Sequence, residues 1–160
     1  NTSYVWPAGQ DIDYSRFICI WPNNLNRKKT LQQGRRISKT QSCDDPIVED
    51  MSEVCQYFQL CHVLQPYKGY PRDWLCQGRI LVKLKNDDGS PCNPKVPTRR
   101  VLMVEMGRLI PKLASRQKRL KEEQEKKQKK AAEKKAAETA AKAQASKKGG
   151  KKKGKKKGKR

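Results

Sequence analysis

The sequence predicts an α+β fold: a small βαββα domain, with a three-stranded antiparallel sheet and two helices packed on one face, plus a basic C-terminal tail. Three observations support this prediction. Apolar residues alternate in short segments and repeat at helical spacing in two longer segments, and no Leu or Ile occurs after residue 120. With 160 residues, the chain has the length of one domain and an extension. Two helices on one side of a small sheet would bury both apolar stripes.

The N-terminal part of the chain predicts one strand followed by a basic segment. Residues 1–14 have no regular pattern and are predicted to be a flexible N-terminus. Residues 16–21, reading RFICIW, predict the first strand, which Pro22 ends. Residues 23–39, reading NNLNRKKTLQQGRRISK, contain six cations and no acid. Gly34 and three Asn residues make a loop the expected structure of this basic segment.

The next two elements are a helix and a strand. Residues 44–46, reading DDP, predict the start of a helix with an acidic cap and proline in the first turn. Apolar residues spaced by four, three and four positions then form one stripe on a helix that ends near residue 60: Ile47, Met51, Val54 and Phe58. Residues 62–67 predict the second strand.

The third strand and the second helix complete the predicted domain, which spans residues 15–113. Residues 67–76, reading YKGYPRDWLC, are predicted to be a loop that leads to a strand over residues 77–85. Residues 86–97 contain three prolines and predict a turn and loop. Thr98 is predicted to cap the second helix, whose apolar stripe repeats at helical spacing: Leu102, Met106, Leu109, Ile110 and Leu113.

The remainder of the chain differs in composition from the domain. Residues 114–145 are rich in Ala, Lys and Glu and are predicted to be an exposed, partly helical extension. They lack an apolar seam, so a coiled coil is not expected. Residues 146–160 are predicted to be a disordered Lys/Gly tail. Residues 114–160 carry a net charge of +16, and residues 1–113 carry +6 of the total of +22.

Composition also narrows the classes of function. A strongly basic chain indicates nucleic acid or an anionic membrane surface as its partner. No apolar run approaches the roughly 18 residues of a membrane span, and no secretory signal is visible. His62 is the only histidine and there is no C-x-x-C, so no metal or other cofactor is expected and the six cysteines are predicted to be reduced thiols. No catalytic constellation is apparent, and we therefore expect a binding protein rather than an enzyme.

A series of short motifs resembles one known family. The motifs are RFICIWP at residues 16–22, NRKKT at 26–30, GRRI at 34–37, YPRDW at 70–74 and GRILV at 78–82, followed by IPKL at 110–113. In this order and spacing they resemble the nineteen-kilodalton proteins of the signal recognition particle, eukaryotic-type, over residues 14–113. One departure is Ser38, where the family usually has proline after GRRI.

The resemblance implies a function and a set of partners. The family binds the particle's 7S RNA at the apical tetraloops of helices six and eight and holds those helices side by side. That arrangement promotes binding of the 54 kDa GTPase subunit for co-translational targeting of proteins to the endoplasmic reticulum. The resemblance thus implies an RNA-binding structural subunit, an indirect association with the ribosome and no membrane insertion. It also implies a cytoplasmic location, with nuclear and nucleolar passage for assembly.

The predicted RNA-binding residues form three groups. The basic segment supplies cations, a glycine that permits close approach, and amides that either read bases or shape the turn. Two residues come from the aromatic-rich segment, and two cations come from the first turn of the second helix, where they oppose the helix dipole. The predicted residues are Asn23, Asn24, Asn26, Arg27, Lys28, Lys29, Gly34, Arg35, Arg36, Lys39, Tyr70, Arg72, Arg99 and Arg100.

Two other functions are compatible with the sequence. A ribosomal or other basic RNA-binding protein of similar small fold would use the same surface without recognising the tetraloops. A basic scaffold on an anionic membrane would use the Lys-rich tail, although that tail lacks the large apolar residues that insert into lipid.

Overall fold

The fold is described from a computed structural model for residues 3–9 and 13–149, with side chains described as far as residue 131. The chain divides into two units, Asn1–Gln117 and Lys118–Arg160. The first unit, called the body below, contains the sheet and its helices.

Four antiparallel strands form the sheet of the body. They are β1 (Tyr4–Trp6), β2 (Ile18–Ile20), β3 (His62–Tyr70) and β4 (Asp73–Val82), arranged in the order β1-β3-β4-β2. Ile80 of β4 lies opposite Ile20 of β2 on one side and Leu64 of β3 on the other. The sheet therefore has the longest hairpin, β3–β4, at its centre.

The prediction of three strands is wrong, because β1 lies within the segment predicted to be flexible. Tyr4 pairs with Leu64, and the Trp6 ring stacks on His62 with centroids 5.5 Å apart and planes 20° apart. A three-residue strand has too few positions to show alternation, and its partner strand is distant in the sequence. Its stability comes from pairing and from the Trp6–His62 contact, which a local pattern does not reveal.

The central hairpin is longer than predicted. Residues 67–76, predicted to be a loop, form the end of β3, a tight turn and the start of β4. Pro71 lies in the turn, where no ladder hydrogen bond is needed, and the pairing is irregular around Gly69. Gly and Pro therefore mark irregularities within a hairpin and not the end of the sheet.

Within the described residues, four α-helices pack against the sheet or follow it in the chain. They are α1 (Pro22–Leu25), α2 (Val48–Tyr57), α3 (Arg99–Leu109) and α4 (Ala114–Gly149), with a 3₁₀ turn at Ile110–Lys112 between the last two. The predicted cap of α3 is confirmed, because Thr98 Oγ1 accepts a hydrogen bond from the Val101 amide at 3.4 Å. The basic segment begins with the helical turn α1, where we predicted only loop.

The predicted start of α2 is wrong. The helix begins at Val48 after Ile47, and Asp45 adopts a positive φ of 40°. The Asp45 carboxylate is drawn away from the helix by Lys28 and by the Asn26 amide, which donates to it at 3.2 Å. Local sequence cannot show this competition between a helix terminus and a distant loop.

The core lies between the sheet and α2 and α3. Ile80 and Val82 of β4, Met51 and Val54 of α2, and Met106 of α3 are completely buried. Gly107 permits a close approach of α3 to the loop before α2, because a Cβ there would collide with the Gln41 carbonyl oxygen. Loop and helix are therefore in direct backbone contact.

The extension after the body is helical over residues 118–149, including most of the segment predicted to be partly helical. Within it Lys127 Nζ lies 2.7 Å from Glu123 Oε1, an i,i+4 pair. The tail predicted to be disordered spans residues 146–160. Residues 150–160 of this tail lie outside the described residues. Across the described ranges, no helix is long and apolar enough to cross a lipid bilayer.

His62 is a buried neutral group at the base of β3. Its Nε2 lies 2.8 Å from Ser52 Oγ and its Nδ1 lies 2.8 Å from the Leu60 carbonyl oxygen. Burial lowers the pKa of His62, although the Leu60 carbonyl acts in the opposite direction. The folded protein therefore binds this proton less readily than the unfolded chain does.

We expect His62 to make the fold less stable in mild acid. Because its folded-state pKa is lowered, its stabilising contribution is complete above the unfolded pKa of about 6.5 and is lost as pH falls toward the folded value. Urea unfolding at pH 7.5 and 5.5 should show a smaller loss of stability in His62→Gln than in the native sequence. An equal loss in both proteins would contradict the assignment.

Candidate nucleic-acid interface

Most of the basic segment lies in a closed loop formed by residues 26–43, which we call the basic loop. Its two ends are joined by a parallel bridge between Asn26 and Cys43. The Arg27 amide donates to the Cys43 carbonyl at 2.9 Å, and the Cys43 amide donates to the Leu25 carbonyl at 3.1 Å. Burial raises the pKa of the Cys43 thiol to about 11, so this residue is a neutral part of the loop's base.

Buried asparagine side chains connect the basic loop to the body. Asn24 Nδ2 donates to the Gly34 carbonyl at 2.9 Å, and its Oδ1 accepts from the Trp21 amide at 3.0 Å. Asn23 Nδ2 donates to Asp73 Oδ2 at 3.1 Å. Both side chains are almost completely buried. Their positions favour the second of the two predicted roles, which is to shape the turn.

Gly34 lies directly against Tyr70 at the end of β3. Its φ is +117°, and a Cβ there would lie 2.7 Å from Tyr70 Cε1. The Tyr70 ring, itself buried, packs on Trp21 at 5.2 Å between centroids, and the Arg79 guanidinium lies 5.6 Å from the Trp21 centroid. Gly34 is thus required both for its backbone conformation and for contact with the hairpin.

The tip of the β3–β4 hairpin pairs with the basic loop through two polar contacts. Lys29 Nζ lies 2.6 Å from Asp73 Oδ2, and both side chains are partly shielded from solvent. Arg72 Nη1 donates to the Gln32 carbonyl at 3.2 Å. The structure therefore joins the basic loop to the hairpin tip, although the predicted residues Asn23, Asn24, Asn26 and Tyr70 are buried beneath this surface.

Three aspartates approach cations of the basic loop, although the loop itself contains no acid. Asp45 pairs with Lys28, and Asp44 Oδ2 lies 3.7 Å from Arg27 Nη1. The hydrogen bond from Lys28 lowers the pKa of Asp45, and that from Lys29 lowers the pKa of Asp73. No local signal in the sequence predicts these partners.

The exposed side of the basic loop is concave. The concavity has a volume of about 430 Å³ and is lined mainly by polar and cationic side chains: Arg27, Lys28, Lys29, Thr30, Leu31, Gln32, Arg35 and Lys39. Leu31 exposes 61% of its surface at this position. An elongated anion can therefore meet several cations and one apolar contact here.

The two arginines of the GRRI motif have different environments. Arg35 Nε donates to the Lys29 carbonyl at 3.1 Å, and Arg35 Nη1 donates to the Ile37 carbonyl. The Arg36 side chain is exposed and has no hydrogen bond or ion pair to any residue that the structure describes. Arg35 therefore supports the loop from within, whereas Arg36 is available to a partner.

Arg99 and Arg100 are not part of this surface. Both are exposed in the first turn of α3, about 12 Å along the helix axis from Gly107, where α3 meets the loop. Arg99 lies near Cys19 of β2, whose thiol pKa is raised by burial and partly lowered by Arg79 and Arg99. These cations form a separate, second basic area.

The arrangement fits the binding of an anion. Among the residues described, no group of three or more His, Cys, Asp or Glu side chains is placed to hold a metal ion. Guanidinium and ammonium groups on a concave surface can contact phosphates, and exposed aromatic side chains nearby can stack on unpaired bases. Trp74 at the hairpin tip is such a residue, with 75% of its surface exposed.

Comparison with known proteins identifies a family. The family model described as "SRP19 protein" matches residues 19–113. The signal recognition particle 19 kDa protein of Oryza sativa subsp. japonica is 41% identical over 100 residues, which cover 62% of this chain and 74% of the relative. The human protein of the same name is 40% identical over 114 residues, covering 69% of this chain and 76% of the relative.

Solved structures give a similar but weaker match. A crystal structure of SRP19 in complex with the S domain of signal recognition particle RNA aligns with 58% of this chain and 95% of its own, at 23% identity and a TM-score of 0.48. On the strength of the family model and of the relatives, this chain belongs to the SRP19 protein family.

Proposed function

We propose that this chain binds signal recognition particle RNA at the apical tetraloops of helices six and eight and holds the two helices side by side. Proteins of this family are RNA-binding subunits of a ribonucleoprotein and are not enzymes. The observation that carries the proposal is the joint surface of basic loop and hairpin tip, connected by the Lys29–Asp73 pair.

The joint surface suits the end of an RNA hairpin. The major-groove base edges of double-stranded RNA are hidden in a deep, narrow groove, whereas a tetraloop displays unstacked bases beside a turn of phosphates. Exposed Arg36 and Lys39 provide cations for the phosphates, and exposed Trp74 provides a ring for stacking. Supported from within by Asn24 and Arg35, the loop can present these groups in a fixed geometry.

A subunit that holds two RNA helices needs two contact areas. Arg99 and Arg100 at the start of α3 provide a second basic area away from the loop. Phosphates there would compensate cations that otherwise oppose the helix dipole. We assign the contact with one tetraloop to the joint surface, and a contact with the phosphate backbone of the other RNA hairpin to these two arginines.

The proposed place of the protein in the cell follows from this role. Alignment of the two RNA helices prepares the site for the 54 kDa GTPase subunit, and through the assembled particle the protein meets the ribosome indirectly. We propose a cytoplasmic location with nuclear and nucleolar passage during assembly. The Lys-rich residues 150–160 would add sequence-independent attraction to RNA.

Recovery of cross-linked RNA from cells tests this proposal. One abundant small RNA of the signal recognition particle is the expected result. Ribosomal RNA alone would instead indicate a general RNA-binding protein of similar fold, and the absence of RNA would contradict both.

We expect Arg36→Ala to weaken binding of the tetraloop hairpin by roughly 1–3 kcal/mol without lowering the melting temperature. Arg36 is exposed and unpaired within the described structure, so its loss removes a contact and no support. The readout is titration of a tetraloop hairpin, together with thermal unfolding. Lys95→Ala is the control. It removes a cation near the C-terminal end of α2, where Asn93 donates a hydrogen bond to the Phe58 carbonyl, and it should leave the RNA affinity nearly unchanged.

Asn24→Ala provides the complementary control. It leaves the Gly34 carbonyl and the Trp21 amide without their partner, so it should reduce stability by about 1–3 kcal/mol or more. If Asn24→Ala kept full stability, or Arg36→Ala lost it, the division between support and contact would be wrong.

We expect the chain shortened to end at Gln117 to keep its preference for the hairpin over an unrelated RNA of equal length. Its affinity should fall and become less dependent on salt, because residues 118–160 carry much of the positive charge. A competition series at 50 and 200 mM salt measures both quantities, with thermal unfolding as the control. Loss of the preference itself would place part of the specific site in the tail.

A further inference from the structure

Arg116, three residues beyond the segment that the family model matches, is a buried cation of the body. Its side chain is 8% exposed, and that of Asp50 in the first turn of α2 is 1% exposed. Arg116 Nη1 lies 2.6 Å from Asp50 Oδ2. The third residue of the extension predicted to be exposed is thus buried.

Stability alone is a weak explanation for this pair. Removing two charges from water has a cost that their mutual attraction often only balances, so well-packed apolar side chains can replace buried ion pairs. The other contacts of Arg116 point to a further role. Its Nη1 donates to the Asp45 carbonyl at 3.2 Å, and its Nη2 donates to the Asp44 carbonyl.

These carbonyls belong to the segment that leaves the basic loop. Asp45 has a φ of 40°, a conformation that residues other than glycine seldom adopt. The planar guanidinium reaches a carboxylate and two carbonyls in fixed directions, which an ammonium group cannot do. Arg116 therefore restrains the backbone of Asp44 and Asp45.

The side chains of the same two residues meet the cations of the concavity. Asp45 pairs with Lys28 and accepts from Asn26 at 3.2 Å, and Asp44 lies beside Arg27. A shift of the backbone at residues 44–45 would move both carboxylates and, with Asp45, the Lys28 ammonium group; Arg27 is also held by the Ser42 carbonyl, to which it donates at 2.8 Å. The contacts thus run without interruption from Asp50 through Arg116 to the surface of the basic loop.

We propose that Arg116 is a positioning residue for RNA recognition: it fixes the turn at Asp44 and Asp45, and so sets the position of Lys28. The proposal rests on the function proposed above. The specific site then depends on the first turn of α4 as well as on the loop and hairpin. Arg116 itself is too buried to touch RNA.

Full-length variants test this role. Arg116→Lys keeps a charge for Asp50 but cannot reach both carbonyls, and Arg116→Met combined with Asp50→Leu removes the pair without leaving a buried charge alone. Lys118→Met, which removes one exposed cation from the same helix, is the matched control. The probe is a tetraloop hairpin of signal recognition particle RNA, with an unrelated duplex for comparison.

Both Arg116 variants should bind the hairpin roughly tenfold more weakly, or about 1.4 kcal/mol, with little change for the duplex. In a Lys28→Ala background the effect should shrink, because the two residues act through one contact. A purely structural role would give the same loss in either background. Folding of each variant is checked by thermal unfolding, and the double substitution remains informative if Arg116→Lys unfolds.

Amide hydrogen exchange of the free protein tests, without RNA, whether Arg116 positions the basic loop. The Arg27 and Cys43 amides, which close the loop, should exchange faster in the Arg116 variants than in Lys118→Met. Unchanged exchange in a folded variant, unchanged hairpin affinity, or an undiminished effect in the Lys28→Ala background would overturn the proposal. A native protein that bound hairpin and duplex equally would overturn the proposed function, while the exchange data would still decide whether Arg116 positions the loop.

Discussion

The Asn24 side chain connects the end of β2 to the middle of the basic loop, and the presentation of the loop depends on this contact. Six like charges in residues 23–39 repel one another, and most cannot be buried in an apolar core. Neutral amides solve this problem, because they can be buried when each donor and acceptor is paired. Asn24 satisfies both conditions through Gly34 and Trp21.

The hairpin completes this support from the other side. Tyr70 fills the space beside Gly34, and Asp73 pairs with Lys29. The basic loop is thus held between a buried turn and the tip of the central hairpin. Because the hairpin belongs to the sheet, the position of the loop is tied to the hydrophobic core rather than to the loop's own sequence.

Local pattern predicted the elements that depend on neighbouring residues. The stripe of Met51 and Val54 and the cap at Thr98 are such cases, and so is the cationic character of the loop. Local sequence pattern failed to predict features that depend on contacts between residues distant in the sequence. Strand β1 depends on His62, the start of α2 depends on Lys28, and burial of Arg116 depends on Asp50. For the candidate site, the cations could be read from the sequence, but their aspartate partners could not.

Asp44, Asp45 and Asp73 act as counterions built into the chain. Under the proposed function, RNA phosphates compete with these carboxylates for the loop cations, so that binding at this surface is an exchange of partners. Lys28 and Lys29 hold the pKa values of Asp45 and Asp73 low, and transfer of these cations to phosphate would raise both values. The proposed RNA binding is therefore linked to proton uptake, and we expect it to become more favourable as pH falls into the range in which carboxylates titrate.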